Sequence, residues 1–167
     1  WHLNKSGTNS AELWVAPVVP GIEETCLLMQ ANLKKIGFDL KIKKVPTDGY
    51  WGAVWLKEPL NVVTWNMRPT ANAMLSIQFA PGAKWNDTFW KNDRFDSLLI
   101  QARAETNQTK RREMYYEMQQ IVRDQGGVVV PMFANYVFAV TDKVTHGTLA
   151  GNWDMDGDKF HERWWFA

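Results

Sequence analysis

The sequence has little of what defines several large classes of protein. Its one cysteine, Cys26, and its three histidines argue against an internal disulfide and against a zinc site made of Cys and His clusters. Lysine and arginine, 19 in all, nearly balance 18 aspartates and glutamates, and the net charge of +1 disfavours a nucleic-acid partner. No apolar run approaches the roughly 20 residues of a bilayer-spanning helix. The 167 residues therefore predict about one globular domain.

Motifs for cofactor binding and catalysis are also missing. The sequence contains no G-x-G-x-x-G turn, no phosphate-binding G-x-x-x-x-G-K-[ST] loop and no G-x-S-x-G nucleophile elbow. His161-Glu162 begins like a zinc-binding H-E-x-x-H motif, but Trp165 takes the position of the second histidine. We therefore expect no cofactor, no metal site and no catalytic residue, and the chain is not predicted to be an enzyme.

One acidic run invites a calcium-binding interpretation. Residues 154–158 place aspartates at positions 1, 3 and 5 of a calcium loop, but Lys159 and Trp165 stand where the turn glycine and the final glutamate belong. The expected structure is therefore a solvated acidic turn.

Apolar periodicity predicts an α/β fold. A strand over Glu12 to Pro17 precedes a helix whose apolar face runs from Ile22 to Ile36, with Gly37 placed to end it. Residues 39–45 alternate as a second strand, residues 60–65 are typical of a buried third one, and a short helix lies between them. Right-handed crossovers then give a mostly parallel sheet with helices on both faces. Residues 66–91 predict a long loop, and residues 128–133 and 136–141 predict strands. Between them, two apolar stripes predict two helices, one with Phe95, Leu98, Leu99 and Ala102 and the other with Met114, Tyr115, Met118, Ile121 and Val122.

Candidate ligand-binding residues lie where the third strand ends. In an open parallel sheet, ligands bind beyond the carboxyl ends of the strands. That position brings an indole, an amide and a guanidinium onto one loop through Trp65, Asn66, Met67 and Arg68, with Pro69 stiffening the turn. The alternatives are that Arg68 forms an ion pair with a neighbouring loop and that Trp65 is buried under the helices. Trp51 is a further candidate, with core packing as its alternative.

A series of short motifs in a fixed order carries a family resemblance. The chain resembles the C-terminal part of a solute-binding protein of the peptide/nickel class that serves ABC importers, the extracellular solute-binding protein family 5. The motifs are Leu33-Lys34-Lys35-Ile36-Gly37, Gly49-Tyr50-Trp51, Trp65 at a strand end, Trp85-Asn86, Asn92-Asp93-Arg94-Phe95-Asp96-Ser97-Leu98-Leu99, Ala102-Arg103-Ala104-Glu105, Arg111-Arg112-Glu113-Met114-Tyr115 with Met118-Gln119, and Val130-Pro131.

The resemblance implies an incomplete, periplasmic-binding-protein-like (type II) lobe. Residues 1–135 would form part of the C-terminal ligand-binding lobe, and residues 136–167 a tail that returns toward a missing N-terminal lobe. The implied function is capture of a small ligand, peptide-like, opine-like or sugar-like, in a two-lobed cleft and its delivery to the transmembrane subunits of an ABC permease. The implied location is periplasmic, or extracellular with a membrane anchor. Trp1 and Leu3, followed by Ser6-Gly7, are interpreted as the tail of a helix that begins upstream.

The chain departs from this family at one position. Peptide-binding members carry an aspartate after the Trp-bearing strand that holds the peptide's amino terminus, and by position that residue is Arg68 here. The reversed charge favours a ligand that presents a carboxylate, a phosphate or sugar hydroxyls. The ten tryptophans leave a second hypothesis, a stand-alone carbohydrate-binding module with exposed indoles on an antiparallel sandwich.

Overall fold

The computed structural model describes residues 9–167, which form two compact units that divide between Thr64 and Trp65. The interpretation of Trp1 to Gly7 as a helix tail lies outside the described residues. The predicted α/β class is confirmed, because a parallel strand pair and several helices are both present. The antiparallel sandwich expected of a carbohydrate module is wrong for the part of the chain described.

The first unit is built on two parallel strands with helices on both faces. Strand β1 (Ser10–Val15) pairs in parallel with β2 (Asp39–Lys44), and helix α1 (Ile22–Lys35) makes the crossover. Side chains of β1 alternate, so Leu13 and Val15 pack with Cys26 of α1. Ala16, just beyond the strand, packs instead against Tyr50 of the short helix α2 (Tyr50–Ala53).

Helix α1 ends in the way the sequence predicts. Gly37 has φ +79°, its N–H donates to the carbonyl of Lys34 at 3.1 Å, and the N–H of Phe38 donates to the carbonyl of Leu33 at 3.0 Å. These two bonds define a Schellman motif, which needs a left-handed residue after the helix. Ile36, predicted to complete the apolar face, lies in the cap instead and is 72% exposed.

Replacing Gly37 with alanine is expected to lower the free energy of unfolding by about 1–2 kcal/mol, because a Cβ disfavours the left-handed conformation. A Cβ at Gly37 meets no atom within 4 Å, so the cost is conformational and not steric. Gly52, inside α2, offers a matched control: it too has open space around it, and its φ is not positive. Gly52→Ala is therefore expected to be neutral or stabilising. Urea unfolding of both variants measures the difference, and equal effects would contradict the Schellman assignment.

The predicted third strand is wrong. Residues 60–65 make only one parallel bridge, between Trp14 and Asn61, with backbone bonds from the N–H of Trp14 to the carbonyl of Leu60 and from the N–H of Val62 to the carbonyl of Trp14. The chain therefore runs beside β1 in the predicted direction but leaves it after one contact. The hydroxyl of buried Tyr50 donates to the carbonyl of Val62 at 2.7 Å and holds the segment there.

The second unit is organised around three helices. They are α3 (Ala71–Phe79), α4 (Asp93–Ala104) and α5 (Gln108–Gln125), and their side-chain N-caps are Thr70, Asn92 and Asn107. The predicted stripes of α4 and α5 are confirmed: Phe95, Leu98, Leu99 and Ala102 are buried on α4, and Met118 is buried on α5. These residues form one core with Leu75 and Phe79 of α3.

Helix α3 corrects the prediction of an irregular loop over residues 66–91. The apolar side chains of α3 lie on all sides of the helix and form no single stripe, so hydrophobic periodicity does not predict it. A local signal is present, because Thr70 caps the helix by accepting the N–H of Ala73 and nine residues without glycine or proline follow.

The predicted strands at 128–133 and 136–141 are also wrong. Among residues 9–167, apart from the single Trp14–Asn61 bridge, strand pairing is confined to β1 with β2 and to a short antiparallel pair, β3 (Val144–His146) with β4 (Trp164–Phe166). High β-propensity makes a strand only where a neighbouring strand supplies the partner groups. Val129, Phe133 and Val137 are exposed. Between β3 and β4 lie a short segment with left-handed residues, α6 (Asp154–Asp158), and a single helical turn, α7 (Phe160–Arg163).

Candidate ligand site

The loop after Trp65 turns back on itself through the guanidinium of Arg68. Nη1 of Arg68 donates to the carbonyl oxygens of Asn66 at 2.8 Å and of Met67 at 3.3 Å. These two bonds use one nitrogen and hold the loop in a fixed shape. The Arg68 residue is half-buried, and within residues 9–167 it forms no ion pair with a carboxylate.

Two indoles flank this guanidinium. The Cζ atom of Arg68 lies 5.9 Å from the ring centroid of Trp65 and 5.8 Å from that of Trp153. Arginine in this position is attracted to the negative face of each ring, and the attraction strengthens as water is removed. The guanidinium of Arg68 is therefore surrounded by aromatic faces and backbone carbonyls, and none of these groups carries a negative charge that would neutralise it.

Trp65 is fixed by a polar bond at its rim. Its indole Nε1 donates to Oδ2 of Asp87 at 3.0 Å, and Nε2 of Gln78 donates to the other carboxylate oxygen at 3.4 Å. The ring of Trp85 lies 6.2 Å from that of Trp65. Trp65 is half-buried, so it is neither fully covered by the helices nor wholly exposed.

The other two loop candidates differ in their surroundings. The hydroxyl of Tyr136 donates to Oδ1 of Asn66 at 3.3 Å, which ties the loop to the segment after α5. Met67 is 50% exposed, and its flexible thioether presents apolar surface to solvent.

Trp51 lies in the first unit, where it belongs to an aromatic group. Its ring contacts Tyr50 edge-on at 5.5 Å and Trp55 at 5.8 Å, and 44% of Trp51 is exposed. Burial raises the pKa of Tyr50 to about 12, so this phenol is a neutral hydrogen-bond donor at ordinary pH. Trp51 therefore combines packing on one edge with exposed surface on the other.

The C-terminal segment contributes Trp153, which no motif or spacing in the sequence indicates. Trp153 stands in a loop that Asp156 closes, because Oδ1 of Asp156 accepts the backbone N–H of Ala150 at 2.6 Å. Oδ2 of Asp156 accepts Nε1 of Trp164 at 3.0 Å and lies 3.1 Å from Nε of Arg163.

The expected solvated acidic turn is therefore wrong at its central residue. Asp156 is 2% exposed, and the N–H of Ala150, the indole of Trp164 and the charge of Arg163 hold the pKa of its carboxyl below the usual range. Residues 155–158 all have positive φ, which forms a left-handed turn around this carboxylate. Among residues 9–167, no cluster of three or more His, Cys, Asp or Glu side chains is arranged to hold a metal ion.

The fold is that of a lobe of a type II periplasmic binding protein. The proteins to which the chain is similar belong to the peptide/nickel class of solute-binding proteins, which confirms the resemblance seen in the sequence. The chain is 28% identical over 131 residues to the probable D,D-dipeptide-binding periplasmic protein DdpA of Escherichia coli, matching 75% of this chain and 25% of that protein. No protein-family model matches the chain.

Solved structures share the fold at lower sequence identity. DppA of Helicobacter pylori, in complex with the peptide STSA, matches with a TM-score of 0.58 and 24% identity over 71% of this chain and 24% of its own. NikZ of Campylobacter jejuni, in complex with Ni(L-His), matches with a TM-score of 0.62 and 18% identity over 74% of this chain and 27% of its own. The chain thus spans about a quarter of the length of these relatives. None of the helices in residues 9–167 has the length and apolar character needed to cross a bilayer.

Proposed function

We propose that the chain is part of the substrate-binding component of an ABC importer. The observation that carries this proposal is that two comparisons agree: the sequence is similar to a dipeptide-binding periplasmic protein, and the fold matches peptide- and nickel-binding proteins. These relatives are named for binding and not for a reaction, which supports a role without catalysis. The partners are then the transmembrane subunits of the permease, and the location is periplasmic or extracellular with a membrane anchor.

The arrangement of the whole protein follows from the same proposal. Residues 1–135 belong to the C-terminal ligand-binding lobe, and residues 136–167 form the tail toward an N-terminal lobe supplied by the rest of the protein. The chain spans about a quarter of the length of DdpA, which supports a further lobe supplied by the rest of the protein. A two-lobed protein closes around its ligand about a hinge, so both lobes contribute contacts.

The ligand in this proposal carries an anionic group that Arg68 binds. The guanidinium is permanently charged, half-buried and without a carboxylate partner among the described residues, so an oxyanion can supply the missing charge. On the same loop, Trp65, Asn66 and Met67 offer an indole, an amide and an apolar thioether to the ligand, and Trp51, in the first unit, stays a separate candidate for ligand contact. A dipeptide held through its carboxylate satisfies both this chemistry and the relationship to DdpA.

Thermal unfolding of the full-length protein against a library of dipeptides, opines and oligosaccharides tests the proposal. Because a ligand that binds only the folded state raises its stability, a compound with a carboxylate is expected to raise the melting temperature by several degrees. A D,D-dipeptide and its C-terminal amide form the matched pair, and only the acid should be effective. A melting temperature unchanged across the whole library would contradict the solute-binding role.

A further inference from the structure

Trp153, which is far from the loop after Trp65 in sequence, lies against the guanidinium of Arg68, the group on which the candidate ligand site depends. The ring centroid of Trp153 lies 5.8 Å from Cζ of Arg68, and the ring centroid of Trp65 lies 5.9 Å from the same atom. Two indoles from different parts of the second unit therefore face one guanidinium. Trp153 is 38% exposed, which leaves part of its surface available to a ligand.

The backbone that carries Trp153 is held at its base. Asp156 accepts the N–H of Ala150 and so closes residues 150–156 into a loop, while Trp164 and Arg163 anchor the same carboxylate. The carboxylate is buried, and its hydrogen bonds fix where the loop begins and ends. Trp153 is therefore presented from a rigid base.

The hydrogen bonds of Arg68 determine which of its edges remains for a ligand. Nη1 is engaged by the carbonyls of Asn66 and Met67. The Nε–Nη2 edge is the one that can still make two parallel hydrogen bonds, and its spacing matches a carboxylate. Rotation of the guanidinium would misalign both hydrogen bonds to the carboxylate. Aromatic contacts that fix the plane of the guanidinium therefore also fix the direction of its Nε–Nη2 edge.

We propose that Trp153 is a specificity-determining residue of the ligand site, positioning the guanidinium of Arg68 so that its Nε–Nη2 edge binds a ligand carboxylate. The inference rests on the proposed function. It extends the site from the loop after Trp65 to the C-terminal segment, and it assigns a positioning role to a side chain that sequence analysis passes over.

The test compares Trp153→Leu with Trp153→Phe in the full-length protein. Leucine keeps apolar bulk without an aromatic face, whereas phenylalanine keeps the face. The probe pair is N-acetyl-D-alanyl-D-alanine and its C-terminal amide, and calorimetry gives both affinities. Trp165→Leu is the matched control, because Trp165 is an exposed indole and is not one of the two rings that face Arg68.

Trp153→Leu is expected to weaken binding of the acid about three- to tenfold and to reduce the preference for acid over amide, whereas Trp153→Phe retains most of both. Trp165→Leu should leave the preference unchanged. If the wild-type protein prefers the acid and Trp153→Leu keeps that preference in full, Trp153 is only structural and this inference fails while the proposed function stands. If the wild type shows no preference for the acid, the anionic-ligand proposal fails and the inference falls with it.

Discussion

Replacing Phe95 with alanine is expected to lower the free energy of unfolding by about 3–5 kcal/mol, the cost of removing a large buried aromatic. Phe95 is fully buried in the core of the second unit. Its ring packs edge-on against Trp90 at 5.3 Å and Phe79 at 6.1 Å, so the substitution removes both contacts and leaves a cavity between helices α3 and α4. Denaturant unfolding followed by circular dichroism measures the loss.

Ile100 on the same helix provides the matched control. It is 67% exposed, so Ile100→Ala removes apolar surface that is already in water and should change stability by no more than about 0.5 kcal/mol. Similar losses for the two variants would show that α4 does not present Phe95 to the core.

Arg68→Ala is expected to weaken ligand binding by about 1.5–3 kcal/mol, or ten- to hundredfold, the range for a hydrogen bond to a charged group. The reason is that the ligand's oxyanion would lose its only permanent positive partner on this loop. Met67 and Asn66 supply apolar and amide contacts but no charge, so they cannot compensate. Equilibrium binding of a carboxylate-bearing dipeptide to the full-length protein measures the effect.

Two further substitutions at this position separate charge from geometry. Arg68→Lys keeps the charge but loses the planar fork, so part of the affinity should return. Arg68→Asp should harm an acidic ligand more than alanine does, and it favours ligands with a free amino group. An affinity that is unchanged in Arg68→Ala would assign the guanidinium to its loop bonds with Asn66 and Met67 alone.

Much of the secondary structure could be predicted where one segment contains all the information. Helix α1 has an apolar face, acidic residues in its first turn, lysines in its last and Gly37 beyond it, so pattern, dipole and cap agree. The stripe of α4 is equally local, and all four of its predicted residues are buried. The parallel pairing of β1 with β2 follows because a helix joins them.

Predictions failed where structure depends on a partner outside the segment. Residues 60–65 are apolar enough for a strand, but only Asn61 bridges to β1 before the chain departs. The apolar run at 128–141 lacks strand pairing for the same reason. Helix α3 was missed for a different reason. Its capping residue is a local signal, but its apolar side chains lie on all sides of the helix, so the sequence shows no helical periodicity there.

The candidate site was predictable in its loop and not in its surroundings. The predicted third strand pointed to Trp65 and Arg68, because ligands bind beyond the carboxyl ends of parallel strands, but residues 60–65 make only one bridge to β1. Trp153 and Asp87 reach the same loop through tertiary contacts that no spacing in the sequence encodes. The sequence predicts a solvated turn at Asp156 because acidic runs are usually solvated, and only the fold shows that the N–H of Ala150 and the indole of Trp164 donate to its carboxylate.

The most direct measurement is a four-way calorimetric comparison on the full-length protein: wild type and Arg68→Ala, each with N-acetyl-D-alanyl-D-alanine and with its C-terminal amide. A direct contact between Arg68 and the ligand's carboxylate predicts that the wild type prefers the acid by about tenfold or more and that this preference disappears in Arg68→Ala. A preference of equal size in both proteins would contradict the account, because the carboxylate would then be recognised by a group other than Arg68.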